Sequence, residues 1–134
     1  MKTLLLISIN LCFTLLSFAQ KGTLEVKIEK NNSMQGEIYV GVFTEKGFLM
    51  QPIKSGHAEL KDKMATTLIE DLEYGTYAIS AYQDVNGNNR LDMDEYGRPT
   101  EPWVMSGSPS SMMPVWSEAK FEFNAEKQKV KLKI

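Results

Sequence analysis

From Thr23 to Glu29 the chain alternates without a break. Leu24, Val26 and Ile28 fall on one side, and Glu25, Lys27 and Glu29 on the other. A period of two belongs to a strand with one face in a core and one in water. The pattern returns at Ile38, Val40 and Val42, where Gly41 marks a bulge or a close approach. It is clearest from Thr76 to Tyr82, with Tyr77, Ile79 and Ala81 opposite Thr76, Ala78, Ser80 and Tyr82. His57 to Lys63 and Ala65 to Glu70 read as two weaker strands or one long one, and the alternation there is imperfect. Lys120 to Phe123 and Lys127 to Ile134 read as a closing hairpin across Asn124-Ala125-Glu126. No stretch sustains the 3.6-residue period of a helix, and a single helical turn is expected near Lys46 to Gln51. About seven short strands, separated by turn signals such as Asn31-Asn32-Ser33, predict an all-β chain folded as a single β-sandwich.

The first nineteen residues stand apart. Lys2 precedes an apolar run from Leu4 to Phe18, and Ser17 and Ala19 are small, which is the form of a secretory signal cleaved before Gln20. Ser8, Asn10 and Thr14 interrupt the run, which falls short of the ~20 apolar residues of a spanning helix. The expected organisation is a signal peptide over 1–19 and one domain over 20–134, secreted or periplasmic, with no membrane insertion after cleavage. Removing the leader leaves 115 residues with a net charge of −3, and takes away Cys12, the one cysteine. Leu11 stands where a lipid-attachment signal has a small residue, so no lipid anchor is expected. A mildly acidic domain with no basic run argues against nucleic acid or an anionic membrane as partner. A monomer is expected.

Asp71-Leu72-Glu73-Tyr74-Gly75-Thr76-Tyr77 has the pattern of a tyrosine corner, in which a tyrosine entering a strand bonds backbone a few residues upstream. Such corners mark Greek-key, immunoglobulin-like crossovers. The plainer alternative is an ordinary core aromatic at Tyr77.

Residues 84–95, DVNGNNRLDMDE, can be laid on the twelve-position calcium loop. Asp84, Asn86 and Asn88 take positions one, three and five. Arg90 takes position seven, which contributes only its carbonyl, Leu91 the apolar position eight, Asp92 position nine and Glu95 position twelve. Position six calls for glycine in a left-handed conformation; Asn89 stands there, and asparagine tolerates that conformation better than most residues. Oxygen donors without nitrogen or sulfur suit a hard cation, so calcium is the expected ion and zinc or copper is not. A strand before the loop and Gly97-Arg98-Pro99 after it exclude the flanking helices of an EF-hand. The alternative is an Asx-rich surface turn with no ion.

Pro99, Pro102, Pro109 and Pro114 crowd the stretch from Gly97 to Val115, interspersed with Trp103, Met105, Met112, Met113 and then Trp116. A long connection of this kind is often functional. Trp103, Met105 and Trp116 are candidates for a face that contacts a glycan or a protein partner; alternatively they cap one end of the sandwich. The methionines of this stretch share no spacing that a soft metal such as Cu(I) would need. His57, the one histidine, is expected on the surface. No nucleophile–base constellation is legible, so a binding or structural module is expected rather than an enzyme, with a hydrolase the weaker reading.

The ordered features are GEIYVGVF at 36–43, GFLMQPI at 47–53, DLEYGTYAISAYQDVNGNNRLD at 71–92, YGRPTEPW at 96–103 and WSEAKFEF at 116–123. Together they resemble the domain-of-unknown-function family 2141. The most specific part is Asp84, Asn86, Gly87, Asn88, Leu91 and Asp92 after the glycine–tyrosine strand. The resemblance implies small secreted bacterial proteins with one β-sandwich after a signal sequence, and implies no reaction. Asn89, where that family has glycine, and the Ser-Met-Met segment are departures. The Leu72 to Tyr77 segment is also similar to transthyretin-like and carboxypeptidase-regulatory-like sandwiches, which implies an accessory or binding role.

Overall fold

The computed structural model describes residues 19–30, 36–107 and 113–134. The expected signal peptide through Phe18 and the expected turn at Asn31 to Ser33, with Pro109 and Met112, lie outside the described residues. Among the described residues eight strands form two sheets, and one short helix lies between two strands of the larger sheet: β1 Lys21–Glu29, β2 Glu37–Phe43, β3 Lys54–Glu59, β4 Met64–Glu73, β5 Gly75–Asp84, β6 Trp103–Met105, α1 Trp116–Ala119, β7 Phe121–Phe123 and β8 Lys127–Lys133. The order is β4-β1-β8 in one sheet and β3-β2-β5-β6 in the other, with β7 also on β5. β7 pairs the start of β5 and β6 its far half, so the two lie end to end along one edge.

The alternating residues meet between the sheets. Leu24, Val26 and Ile28 face Ile38, Val40 and Val42 and Ile79, Ala81 and Phe123, all 2% exposed or less. Burying each large aliphatic here contributes about 1.5–3 kcal/mol, and this sets which face of every strand turns inward. The imperfect alternation of β4 has a physical cause. Leu24 pairs Ile69 and Gly22 pairs Leu72, so two residues, Glu70 and Asp71, oppose one. Asp71 takes φ +53°, the inward phase shifts, and Leu72 is buried where strict alternation would expose it.

Several expectations are corrected. Of the two readings of His57 to Lys63 and Ala65 to Glu70, the two-strand one holds; what changes is that the strands lie in different sheets and turn at Leu60 to Lys63. The closing segments do not form a hairpin. β7 joins β5, while β8 crosses to the other sheet and runs parallel to β1. Phe123 fills the core beside Tyr74, and the chain must cross sheets to bury Leu132 as well. Residues 44–51 make consecutive hydrogen-bonded turns rather than a regular helix, and the helical turn lies instead at Trp116–Ala119. The proline-rich stretch contains β6. Gly41 is a close approach, not a bulge. Its register is unbroken on both sides, and a Cβ there would come within 3.0 Å of the Phe43 ring.

The tyrosine corner is present. β4 leads into β5 of the other sheet through Tyr74 alone, and the Tyr77 hydroxyl donates to the Glu73 carbonyl at 2.9 Å. Gly56 lets β3 close on β4, since a Cβ there would lie 2.4 Å from Thr67 Cγ2. The outer face of the five-stranded sheet is thereby left for the loops after β2, β5 and β6.

Candidate functional site

β5 ends at Asp84, and the loop that follows is organised by that carboxylate. Asp84 is 4% exposed. Its Oδ1 accepts from the amides of Gly87 at 2.7 Å and Asn88 at 3.2 Å, and its Oδ2 from the amide of Asn89 at 2.7 Å. These bonds bend the chain back on itself, which places Gly87 at φ +75° and Asn89 at φ +62°. Asn86 Oδ1 and Asn88 Oδ1 each accept from the amide two residues on, at 3.2 and 3.1 Å. The two side-chain NH2 groups meet at Asp92: Asn86 donates at 2.6 Å, and Asn88 at 2.9 Å to each oxygen. Those bonds, with Arg90 3.6 Å away, hold the Asp92 carboxyl below the ordinary carboxylate range.

Arg90 is exposed, as a residue that offers only its carbonyl can be. Glu95 is exposed at the tip of a tight turn, Asp94 to Gly97, below the Met93–Pro99 bridge. Asp94 holds that turn. Its oxygens accept from the Arg98 and Tyr96 amides and from the Arg98 guanidinium at 2.7 Å, and those bonds, the Arg98 amide foremost, depress its pKa.

The residue that closes the loop is Glu101, which sequence reasoning passed over. It is 8% exposed, and its two oxygens accept from the amides of Val85 at 2.8 Å and Asp92 at 3.2 Å, tying the start of the loop to its end. Its sequence signal was an acidic residue between Thr100 and Pro102, directly before the apolar run Trp103 to Met105. Among the described residues no group of three or more His, Cys, Asp or Glu is arranged to hold a metal ion.

A second feature that the sequence hid is an aromatic row across the strands. Register sets Tyr39 beside both His57 and Tyr82, and Tyr82 beside Trp103. The Tyr39 ring stacks on Tyr82 at 5.3 Å and on the exposed His57 at 5.7 Å. The Tyr39 hydroxyl lies 2.9 Å from Glu37 Oε2 and 2.5 Å from Asn89 Oδ1. Its single proton serves one acceptor at a time, and the Glu37 carboxylate is the stronger. That bond pushes the Tyr39 pKa up to about 12.

Beside this row lies a groove of about 360 Å³. Its floor is Ser80, Tyr82, Trp103 and Met105, and the 84–101 loop forms one wall through Leu91, Met93 and Pro99. Phe43, Leu49, Met113 and Pro114 form the other. Of the expected ligand face, Trp103 and Met105 are therefore in the groove, with Met105 only 2% exposed. Trp116 is not among its lining residues. It packs edge-to-face on Phe48 at 5.5 Å, against the small cluster of Ala78, Met105 and Ala119. Trp103 packs against the same cluster, so both indoles contribute to capping, the alternative reading, and of the two Trp103 also lines the groove.

The family model for an uncharacterized protein conserved in bacteria, DUF2141, matches residues 26–131. The chain belongs to the DUF2141 family. The matched region takes in β2 to β7, the second part of β1 and most of β8, with the 84–101 loop and the groove inside it. No match was found among curated proteins or solved structures. Membership in DUF2141 therefore identifies a bacterial protein, while the fold and the chemistry must be read from the structure itself.

Proposed function

We propose that this DUF2141 domain is an exported binding module, rather than an enzyme, that takes apolar surface of a protein partner into the groove on its five-stranded sheet. The observation that carries this is the groove's composition. Leu49, Met93 and Met113 are 46%, 54% and 72% exposed around a floor of Tyr82, Trp103 and Met105. Its volume is in the range of ligand pockets, and apolar side chains left exposed around one hollow mark an interaction site. The lining side chains offer only the Ser80 and Tyr82 hydroxyls and the Trp103 indole N–H as polar groups. A glycan needs more hydrogen-bond partners than these, which favours an apolar partner over the sugar alternative.

The test is binding of anilinonaphthalene sulfonate, an environment-sensitive apolar dye, followed by its emission. Wild type should bind it, and L49D/M93D should lose most of the signal while melting close to wild type. Absence of dye binding, or equal binding by the variant, would refute the groove reading. Suppression of the dye by neutral oligosaccharides would favour the glycan.

Calcium in the 84–95 loop is a second reading, favoured by one observation: Asn89 adopts the left-handed conformation that position six requires and donates its amide to Asp84. Side-chain oxygens of Asp84, Asn86, Asn88 and Asp92 and the Arg90 carbonyl would hold the ion, with closure by Glu95 or by Glu101. The cation would supply the charge compensation that the Asn86 and Asn88 NH2 groups give Asp92 in this structure, and both amides would have to turn their oxygens inward. Extracellular calcium modules have dissociation constants of roughly 10⁻⁴ to 10⁻³ M. At ~10 mM calcium that is about 1.4–2.7 kcal/mol of stabilisation. A melting midpoint raised by calcium and not by magnesium is the expected result; coincident melts with calcium and with chelator would leave an ion-free Asx-rich turn.

A further inference from the structure

The fold gathers methionines that the sequence scatters. Met93 comes from the turn after the Asp84 loop, Met105 from β6, and Met113 from the segment before α1, and all three line the one groove. Trp103 lines it too, two residues before Met105 on β6. Residues two apart on a strand share a face, so the Met105 thioether and the Trp103 indole project to the same side. Met105 is fixed, being 2% exposed, whereas Met93 and Met113 are more than half exposed at the rim. An unbranched thioether with three rotatable bonds can re-aim its sulfur at low cost.

Thioether sulfur is a soft donor that selects Cu(I) and its like over hard or borderline ions. The ring face of a tryptophan attracts a cation placed over it. Neutral donors leave a monovalent ion its charge, which the indole face then helps to offset. We propose that Met93, Met105 and Met113, with Trp103 as the cation–π partner, form a binding site for a soft monovalent metal ion of the Cu(I) class. The proposal rests on the groove being open to ligands, as the binding reading also requires.

Ag(I) is the probe, because it is monovalent, soft and needs no reductant. It is titrated as the nitrate, in chloride-free buffer, into the purified chain. C12S is used throughout, since a thiol would outcompete thioethers. Binding is read by tryptophan emission and by native mass spectrometry. The expected result is one tightly held Ag(I) per chain with altered emission, and affinity at least about tenfold weaker in M93L/M105L/M113L.

Leucine keeps the groove apolar and of similar volume, so these variants should still bind the apolar dye. Should the triple variant fail to fold, M93L/M113L changes only exposed side chains and should show the same direction. M50L/M64L, which removes exposed methionines that do not line the groove, should match wild type. Unchanged Ag(I) affinity in the leucine variants, or an equal loss in M50L/M64L, would overturn the metal proposal. Dye binding retained alongside that outcome would leave the groove reading standing on its own.

Discussion

Replacing Glu101 by alanine tests which carboxylate closes the loop. Its two oxygens hold the Val85 amide at 2.8 Å and the Asp92 amide at 3.2 Å from a side chain only 8% exposed. A buried N–H left without its acceptor costs about 1–3 kcal/mol. Val85 is 43% exposed and Asp92 half-buried, so water can partly reach both amides and the lower end applies to each. The sum is about 2 kcal/mol, or a fall in melting midpoint of about 8 °C in a domain of this size. E101Q keeps one acceptor and sets an NH2 against the other amide, so it should lose about 1–2 kcal/mol. E95A removes an exposed side chain at the turn tip and should stay within about 0.5 kcal/mol. Thermal and urea unfolding of the three variants in chelator measures this without any ion. An E101A midpoint within about 2 °C of wild type, or a fall in E95A as large as in E101A, would refute the assignment of loop closure to Glu101.

Other outcomes follow from the same geometry. Tyr77→Phe removes the bond to the Glu73 carbonyl and should lower stability by about 1 kcal/mol, measured by urea unfolding. Ser106 is 3% exposed; its hydroxyl accepts from the Ile79 amide at 2.8 Å and donates to the Ala119 carbonyl at 2.6 Å, joining β5 to α1. Ser106→Ala strands both partners and should cost about 2–4 kcal/mol in the same assay. Asp92 and Asp94 are held below the ordinary value of 3.8, so their stabilisation is complete above that value and is lost as pH falls through the lower folded values. Urea midpoints across that acid range should drop less steeply in D94N than in wild type. Finally, the 84–101 loop is a wall of the groove, so calcium that orders the loop should tighten dye binding, and the dye should tighten calcium by the same factor. Dye titrations in calcium and in chelator measure that factor, and equal affinities would show the loop and the groove to be independent.

The strands were legible because burial imposes a period of two, and Leu24, Val26 and Ile28 could satisfy it in one way only. Register was not legible. Nothing in the local pattern of β7 and β8 distinguishes a hairpin from two strands in opposite sheets. That choice is made by distant partners, Tyr74 for Phe123 and the β1 row for Leu132. The same holds for the site. The Asp84 loop could be read because its donors and acceptors lie within six residues of one another. Glu101 could not, because what it holds was identified only once the chain had turned back on itself. The aromatic row is a product of cross-strand pairing, the methionine groove of two loops folding over β6, and no spacing along the chain encodes either.

The two outer faces of the sandwich differ, and the difference supports the proposed site. On the three-stranded sheet, Glu25 lies 3.4 Å from both Lys27 and Lys129, and Glu29 lies 3.1 Å from Lys131. Exposed pairs of this kind contribute little, and lysines along β8 guard a free edge against pairing with another chain. That face is mostly charged, with Leu68 and Met64 of β4 its exposed apolar side chains. The opposite face carries stacked rings, a buried carboxylate that anchors a loop, and a hollow rimmed by exposed methionine and leucine. Such groups cost stability unless they are shielded or used. The Tyr39 hydroxyl beside Asn89 links the aromatic row to the Asp84 loop, and that loop walls the groove. A ligand in the groove and an ion in the loop would therefore act on one connected surface, which is why the tests above separate them by variant and by probe.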